Sequence, residues 1–319
     1  MSGLPPEKEP SERDAAKLAL KYRDHALLSV SRFATGLAHW VYDVRYADGT
    51  SIVVRLTKAK YRHAFKGAVH WSKALRPLGV PLPELLEHGE HDGLPYLILE
   101  RLPGEDLGVV YERLTSAERA AIANMVCRAQ QLVATSPEGT GYGSVNLPDG
   151  LQHSTWRSFL GELLTRSSQW IAEAGAVSGD LVDRVAQAAA PLQSYFDAVR
   201  PTPFLDDATT KNVLVHEGRF SGIVDMDELG FGDPLLTIGL TRASLLAAGR
   251  DCEYTNFWSD ALALSEQQRK ALSFYTALFL VVFMSEQGQR FNRDIVPPDR
   301  VVLECLEALL DVELRSLRD

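Results

Sequence analysis

The stretch that decides the fold is FLDDATTKNVLVHEGRFSGIVDMDELGFGDP, residues 204–234. Two short apolar runs, 213–216 and 221–224, flank the turn sequence Glu217-Gly218, so we expect a two-stranded hairpin. A hairpin returns the end of its second strand to the start of its first strand. Polar residues at these two ends are therefore expected to lie close together.

Three oxygen-bearing side chains occupy those two ends. Asp207 and Asn212 lie on the loop that enters the first strand, and Asp225 follows the second strand. Magnesium prefers such hard oxygen ligands and shares its other positions with water and phosphate oxygens. Single residues of these types also cap helices and close turns. The three together, followed by Gly-Phe-Gly-Asp-Pro at 230–234, predict that Asn212 and Asp225 bind Mg²⁺ while Asp207 faces a nucleophile.

The segment resembles the aminoglycoside phosphotransferase and choline-kinase-like family, small-molecule relatives of the protein kinases. That family carries His-Gly-Asp-x-His-x-x-Asn, a strand pair, Ile-Asp-(Trp/Phe) and Gly-Asp-Pro. Here Asp207 falls on the catalytic Asp, Asn212 and Asp225 fall on the metal-binding residues, and Asp233-Pro234 falls on the last element.

This resemblance implies an α+β, two-lobed, protein-kinase-like fold. A small antiparallel sheet with one main helix precedes a larger helical lobe that carries the hairpin. The resemblance also implies transfer of the γ-phosphate of ATP or GTP to a hydroxyl of a small molecule, with Mg²⁺ as cofactor. The acceptor stays open between an antibiotic and an amino-alcohol or sugar metabolite.

The rest of the chain changes character near Pro103-Gly104. Alternation and turn residues predict strands over 27–33, 40–46, 51–56, 84–88 and 95–102 and a helix over 61–76. Helical spacing predicts helices over 116–134, 156–174 and 180–199, and two or three more in the last sixty residues. We expect a nucleotide-binding lobe at 1–102, with residues 1–13 flexible, and a catalytic and acceptor-binding lobe at 103–319.

The resemblance further implies which residues hold the nucleotide. Arg55 lies on the third strand, where the family places a Lys or Arg that reaches the phosphates; the alternative is an exposed strand-edge charge. Gly36 lies in the loop that kinases lay over the phosphates, although a single glycine also suits an ordinary hairpin loop. Backbone groups near Glu100 and Leu102 are expected to bind the base at the hinge between the lobes.

Several positions depart from the family pattern. Leu205 and Asp206 replace His-Gly before the catalytic Asp, Thr209 replaces the second His, and Thr237 stands where an Asp often supports the loop backbone. Because Leu205 and Thr237 depart together, we infer a rebuilt support behind the loop.

Two charges beside Asp207 leave alternatives open. Asp206 adds a carboxylate that either repels its neighbour or raises the pKa of Asp207 toward that of a useful base. Lys211 either opposes that effect or touches the transferred phosphate, and we include it among the predicted nucleotide-binding residues.

The predicted helix 61–76 contains no Glu or Asp. Kinases use a Glu on this helix to orient the strand-three Lys or Arg, so Arg55 lacks its expected partner. His63, His70 or the phosphate alone remain as alternatives. This gap and the altered loop motivate a second hypothesis, a catalytically weak or inactive kinase-like nucleotide-binding module.

Composition and charge disfavour some classes of binding partner. The 319 residues carry 42 acidic and 33 basic side chains, a formal net charge of −9, and nucleic acid or an anionic membrane would need a basic footprint. The longest apolar run, 271–284, is too short to span a bilayer. The three separated cysteines suggest no disulfide framework. We therefore expect a cytoplasmic protein with a small-molecule partner.

Overall fold

A five-stranded antiparallel sheet with a helix on each face forms the first part of the molecule. The computed structural model of the chain describes residues 9–33, 39–291, 294–295 and 297–317. The helices are α1 (Glu12–Tyr22) and α2 (Arg62–Leu75). The strands, in the spatial order β1-β2-β3-β5-β4, are β1 (Leu27–Arg32), β2 (Trp40–Tyr46), β3 (Ser51–Leu56), β4 (Leu85–His91) and β5 (Leu94–Glu100). All five strands agree with those predicted from the sequence.

The alternation of side chains along each strand decides which helix a residue meets. Ile98 of β5 packs with Val44 and with Leu18 of α1, whereas the adjacent Leu97 packs with Phe65 of α2. Arg55 follows the buried Val54 on β3, so its side chain turns toward α2. Strand periodicity thus places the guanidinium on the side of the sheet that faces the hairpin.

Helix α1 was not predicted, and it begins within the segment 1–13 that was expected to be flexible. Ser11 caps the helix by accepting from the Asp14 N–H, and the Asp14 carboxylate accepts from the Ser11 backbone in return. Such a capping box satisfies two backbone donors that would otherwise lack partners. The apolar face of α1, including Leu18, is buried against the sheet. Residues 1–8 lie outside the described part of the chain.

Helix α2 belongs to two hydrophobic cores. Its first half packs on the sheet through Phe65, whereas Trp71 and Leu75 pack with Val80 and Leu82 in the larger core of the helical half. The helix that borders the predicted nucleotide site is therefore attached to both parts of the molecule.

Nine helices follow in the described part of the second half. They are α3 (Leu107–Val110), α4 (Ser116–Val133), α5 (Trp156–Ala174), α6 (Asp180–Ala188), α7 (Gln193–Ala198), α8 (Leu235–Ala247), α9 (Glu253–Ala261), α10 (Glu266–Glu286) and α11 (Arg300–Ser316). The single helix predicted over 180–199 is wrong, because Pro191 cannot continue an α-helix. Among the described residues, no helix has the length and apolar character needed to cross a membrane.

Short strands interrupt the helices. They are β6 (Glu105–Asp106), β7 (Gly143–Val145), β8 (Thr202–Phe204), β9 (Val213–His216), β10 (Arg219–Ile223), β11 (Leu229–Gly232), β12 (Arg290–Phe291) and β13 (Asp294–Ile295). The predicted hairpin is β9–β10, extended by β6 to a three-stranded sheet. A second sheet, β7-β11-β8, was missed because strands of three or four residues carry little periodicity.

Candidate active site

The loop between β8 and β9 carries Asp207 and Asn212. The backbone N–H groups of Asn212 and Val213 donate to the Thr209 carbonyl at 3.0 and 3.1 Å, which closes a tight turn. The turn brings Asn212 Nδ2 to 2.8 Å from Asp207 Oδ2 and 2.9 Å from the Asp207 carbonyl. Thr209 Oγ1 donates to Asp207 Oδ1 at 3.2 Å. The loop therefore orients the Asp207 carboxylate with its own side chains.

Asp225 lies beside this loop at the end of β10. The Val224 N–H donates to the Asn212 carbonyl at 2.8 Å. Asp225 itself has φ of 62°, a left-handed conformation that Asp adopts more readily than most residues. Its side chain is 46 % exposed, and its charge helps to raise the pKa of Asp207. The structure thus brings together the three oxygen-bearing side chains that the sequence singled out.

Asp207 belongs to a cluster of acidic side chains that also includes Asp206, Asp225 and Glu228. Loss of solvation raises the pKa of Asp207 to about 7, and the charges of Asp206 and Asp225 act in the same direction. Loss of solvation also raises the pKa of Asp206 to about 6; the charge of Glu228 adds to this, and a hydrogen bond from Ser144 opposes it. The charge of Asp206 therefore raises the pKa of Asp207, which is one of the two effects expected of it. Loss of solvation makes a larger contribution to the same rise.

Arg55 is buried where the first sheet meets the hairpin. Its Nη1 and Nη2 donate to the two carboxylate oxygens of Asp227, both at 2.8 Å, and Nη2 also donates to Asp225 Oδ1 at 2.6 Å. Burial opposes the guanidinium charge, but Asp227 and Asp225 more than compensate, so the pKa of Arg55 lies above its ordinary value. The expectation that Arg55 lacks an acidic partner is wrong, and so is the alternative of an exposed strand-edge charge. The partner comes from the end of the hairpin instead of α2.

The backbone behind Asp207 is held by two helices. Gln130 of α4 makes a pair of bonds with Leu205, in which Nε2 donates to the carbonyl and Oε1 accepts from the N–H, both at 2.8 Å. Thr237 of α8 donates through Oγ1 to the same carbonyl at 2.7 Å. All three residues are buried. These bonds form the rebuilt support inferred from Leu205 and Thr237.

The predicted base-binding residues lie at the end of β5 and just beyond it. The Glu100 N–H donates to the Glu84 carbonyl at 2.8 Å, so this donor is already used within the sheet. The Leu102 carbonyl accepts a hydrogen bond from the Arg101 guanidinium. Base binding by this stretch stays a prediction. Gly36 lies outside the described residues, as does the rest of 34–38 in the loop predicted to cover the phosphates.

Lys211 is exposed on the loop between Asp207 and Asn212. Burial raises the pKa of Asp106 and that of Glu286, and in each case the charge of Lys211 opposes the rise. Lys211 therefore acts on two carboxyl groups of other elements, the β6 strand and the end of α10. Contact with a phosphate stays a prediction.

Sequence reasoning missed Asp227 and Gln130. Asp227 lies two positions after Asp225 and therefore follows the same end of the hairpin, so its nearness in the sequence was a usable indication. Gln130 follows Cys127 by three positions within the buried face of α4. A polar residue on an apolar helix face is expected to find a hydrogen-bond partner, which was the second overlooked indication.

The donor chemistry fits a magnesium ion. Asp225 presents a half-exposed carboxylate, and Asn212 uses its amide nitrogen on Asp207, which leaves its amide oxygen outside that bond. Loss of solvation is the main cause of the raised pKa values of Asp206 and Asp207, and the charges of Glu228, Asp206 and Asp225 add to it, so several carboxylates lie close together here. A divalent cation would neutralise part of their negative charge.

Comparison with known proteins identifies the family. The model of the phosphotransferase enzyme family, APH, matches residues 29–261. The chain belongs to this family. Hygromycin-B 4-O-kinase of Escherichia coli is 28 % identical over 198 residues, which cover 60 % of this chain and 52 % of that protein. The chain thus spans about half the length of this curated relative.

Solved structures agree on the fold. A thermostable mutant of aminoglycoside phosphotransferase APH(4)-Ia, apo form, superposes with a TM-score of 0.68 at 20 % identity, covering 94 % of this chain and 98 % of the other. A ternary complex of such a mutant with ADP and hygromycin B gives 0.67 at 18 % identity, covering 94 % and 97 %. These similarities confirm the predicted kinase-like α+β fold.

Proposed function

We propose that this protein transfers the γ-phosphate of ATP or GTP to a hydroxyl group of a small molecule. The observation that carries the proposal is Asp207, a carboxylate oriented by Asn212 and Thr209 with its pKa raised to about 7. A general base works best when its pKa lies near the working pH. Family membership supports this proposal, and the named relatives make hygromycin-like aminoglycosides the first acceptors to test.

Each residue at the cleft has a proposed role in that reaction. Asp207 accepts or orients the hydroxyl proton, and Asn212 and Asp225 hold Mg²⁺. When bound there, Mg²⁺ would neutralise the negative charge that develops on the phosphates. Arg55 braces the phosphates, and Lys211 touches the transferred group.

The remaining proposals concern how the nucleotide is held between two lobes and where the protein works. The backbone at 100–102 binds the base, and the loop that contains Gly36 covers the phosphates. The chain works as two lobes, 1–102 and 103–319, with the nucleotide between them. The cytoplasm is the proposed compartment.

Two observations motivated the alternative of a weak or inactive nucleotide-binding module: the missing acid on α2 and the altered loop before Asp207. The structure offers a substitute for each. Asp227 supplies Arg55 with the carboxylate that α2 lacks. Gln130 and Thr237 supply the loop support that the replaced His and Asp would have given. Active transfer is therefore the function we favour.

The test measures release of ADP from Mg·ATP in the presence of a panel of hydroxylated acceptors, beginning with hygromycin B. Asp207→Asn is expected to lower kcat by at least about a hundredfold, since general-base catalysis contributes that much or more, while Mg·ADP binding persists. Asp197→Asn is the matched control, because this exposed carboxylate pairs with the exposed Arg157 at 3.1 Å. Equal turnover by the wild type and Asp207→Asn contradicts the role of Asp207. Nucleotide binding without turnover of any acceptor favours the alternative.

A further inference from the structure

Helix α2 approaches Arg55 without supplying a negatively charged side chain. Its sequence, RHAFKGAVHWSKAL, contains no acid. Phe65 places its ring centroid 5.3 Å from the guanidinium carbon of Arg55. Gly67 lies so close to the hairpin end that a Cβ there would be 2.1 Å from the Asp227 carbonyl oxygen. The helix therefore packs directly on the segment that carries Asp227.

Asp227 is held on several sides. Both of its carboxylate oxygens accept from Arg55, and Oδ2 also lies 2.9 Å from His39 Nε2. His39 is in turn fixed by Thr57, whose Oγ1 lies 3.0 Å from Nδ1. The Asp227 backbone carbonyl accepts from Asn146 Nδ2 at 3.0 Å. The side chain is 13 % exposed, so both its backbone and its carboxylate are constrained.

Asp225 contacts the same guanidinium differently. It uses one oxygen on one nitrogen, Nη2, and its side chain is 46 % exposed against 6 % for Arg55. A paired, parallel contact such as that of Asp227 orients a guanidinium far better than a single contact. Asp225 can therefore leave Arg55 for another cation while Asp227 keeps the guanidinium in place.

We propose that Asp227 is the positioning residue for Arg55 and takes the place of the acid that α2 lacks. This inference rests on the proposed function. With nucleotide bound, Asp225 would hold Mg²⁺ and would release Arg55 Nη2. That nitrogen then has an N–H to donate to a phosphate oxygen, and the bonds to Asp227 prevent the guanidinium from following Asp225. Asp227 thus affects the phosphates only through Arg55.

The experiment compares binding of Mg·ADP and of adenosine, which lacks phosphates, by calorimetry. In Asp227→Asn we expect Mg·ADP affinity to fall at least about tenfold and adenosine affinity to stay within about twofold of wild type. Asp48→Asn is the matched control, since Asp48 pairs with Arg23 at 2.8 Å beyond the other end of β3. It should change neither affinity.

A double-mutant cycle separates positioning from general damage. Arg55→Lys keeps the charge but cannot form the paired contact, so it should lose the same phosphate-specific affinity. The double variant Arg55→Lys with Asp227→Asn should be no worse than either single variant. The Arg55→Lys variant also serves as the test if Asp227→Asn alone folds poorly. It must then lose affinity for Mg·ADP by itself while its affinity for adenosine is kept.

Three results would overturn the inference: unchanged Mg·ADP affinity in Asp227→Asn, an equal fall in adenosine affinity, or additive losses in the cycle. Failure of the wild type to bind any nucleotide is a different result. It overturns the proposed function, and this inference with it.

Discussion

The two sides of Asp207 are built from different kinds of contact. On one side, Arg55 holds Asp225 and Asp227 through charged hydrogen bonds where the first sheet meets the hairpin. On the other side, Gln130 and Thr237 hold the backbone of Leu205 through neutral hydrogen bonds in the interior. We call these the charged side and the neutral side.

The difference follows from what each side has to do. A charge buried in an apolar interior is costly unless it is fully paired, so neutral groups suit a permanent support behind a loop. On the charged side, Asp225 is half exposed and has a contact that a metal ion can replace. The contact proposed to exchange its partner, that of Asp225, is thus charged and half exposed, whereas the buried Arg55–Asp227 pair stays in place because both of its charges are paired.

The largest expected effect on stability tests the neutral side. Gln130→Leu leaves the buried Leu205 N–H without its partner, which should lower the free energy of unfolding by about 2 kcal/mol. Thr237→Val should cost about half as much, about 1 kcal/mol, because the Leu205 carbonyl keeps its bond from Gln130. Urea unfolding measures both. A larger loss in Thr237→Val than in Gln130→Leu would contradict the assignment of Gln130 as the main support.

A somewhat smaller effect tests the packing behind the charged side. Gly67→Ala puts a methyl group against the Asp227 carbonyl, so we expect a loss of about 1 kcal/mol or more and weaker binding of Mg·ADP. Gly161→Ala, in α5, is the matched control, because a Cβ there meets nothing within 4 Å. It should gain up to about 1 kcal/mol from helix propensity. Stabilisation by both alanines would show that α2 does not press on the hairpin end.

The last expected effect is a pH dependence of the metal-free protein. The folded-state pKa of Asp207, about 7, and that of Asp206, about 6, lie above the ordinary value of 3.8. The folded protein therefore binds protons more tightly than the unfolded chain, and these groups lower stability as pH rises from about 4 to 7. Asp206→Asn removes one of the two groups and lowers the pKa of the other.

The measurement for this prediction is the Tm between pH 4 and 7.5 in EDTA. The difference between Asp206→Asn and wild type should grow in favour of the variant as pH rises. A constant difference across this range would mean that Asp206 does not titrate in coupling with Asp207. Added Mg²⁺ should reduce the difference, because a cation offsets the negative charge of the same carboxylates.

Particular elements show how far sequence reasoning reached. The five strands were predictable because apolar residues alternate along them and turns such as Asp48-Gly49 separate them. The loop with Asp207 and Asn212 and the hairpin that leads to Asp225 were predictable because their spacing is local. Helix α1 was missed because its Ser11–Asp14 capping box was overlooked beside a polar, proline-rich start. The break at Pro191 was predictable from a local rule that was not applied, namely that proline cannot continue an α-helix.

The partner of Arg55 could not be found in the same way. Arg55 and Asp227 lie 172 positions apart, and nothing in either neighbourhood specifies the other. The bonds between Gln130 and Leu205 bridge 75 positions. Contacts of this kind depend on how the sheet, α2, α4 and the hairpin pack together, and local periodicity does not contain that information.

The sequence by itself determined the hairpin and the group formed by Asp207, Asn212 and Asp225, because turn chemistry and strand alternation act over a few residues. The kinase-like class was implied by the resemblance of residues 204–234 to a known family. Only the tertiary structure decided that Asp227 orients Arg55 and that Gln130 supports Leu205. Those choices depend on which polar groups are buried together, since a buried donor or acceptor must find its partner wherever packing places one.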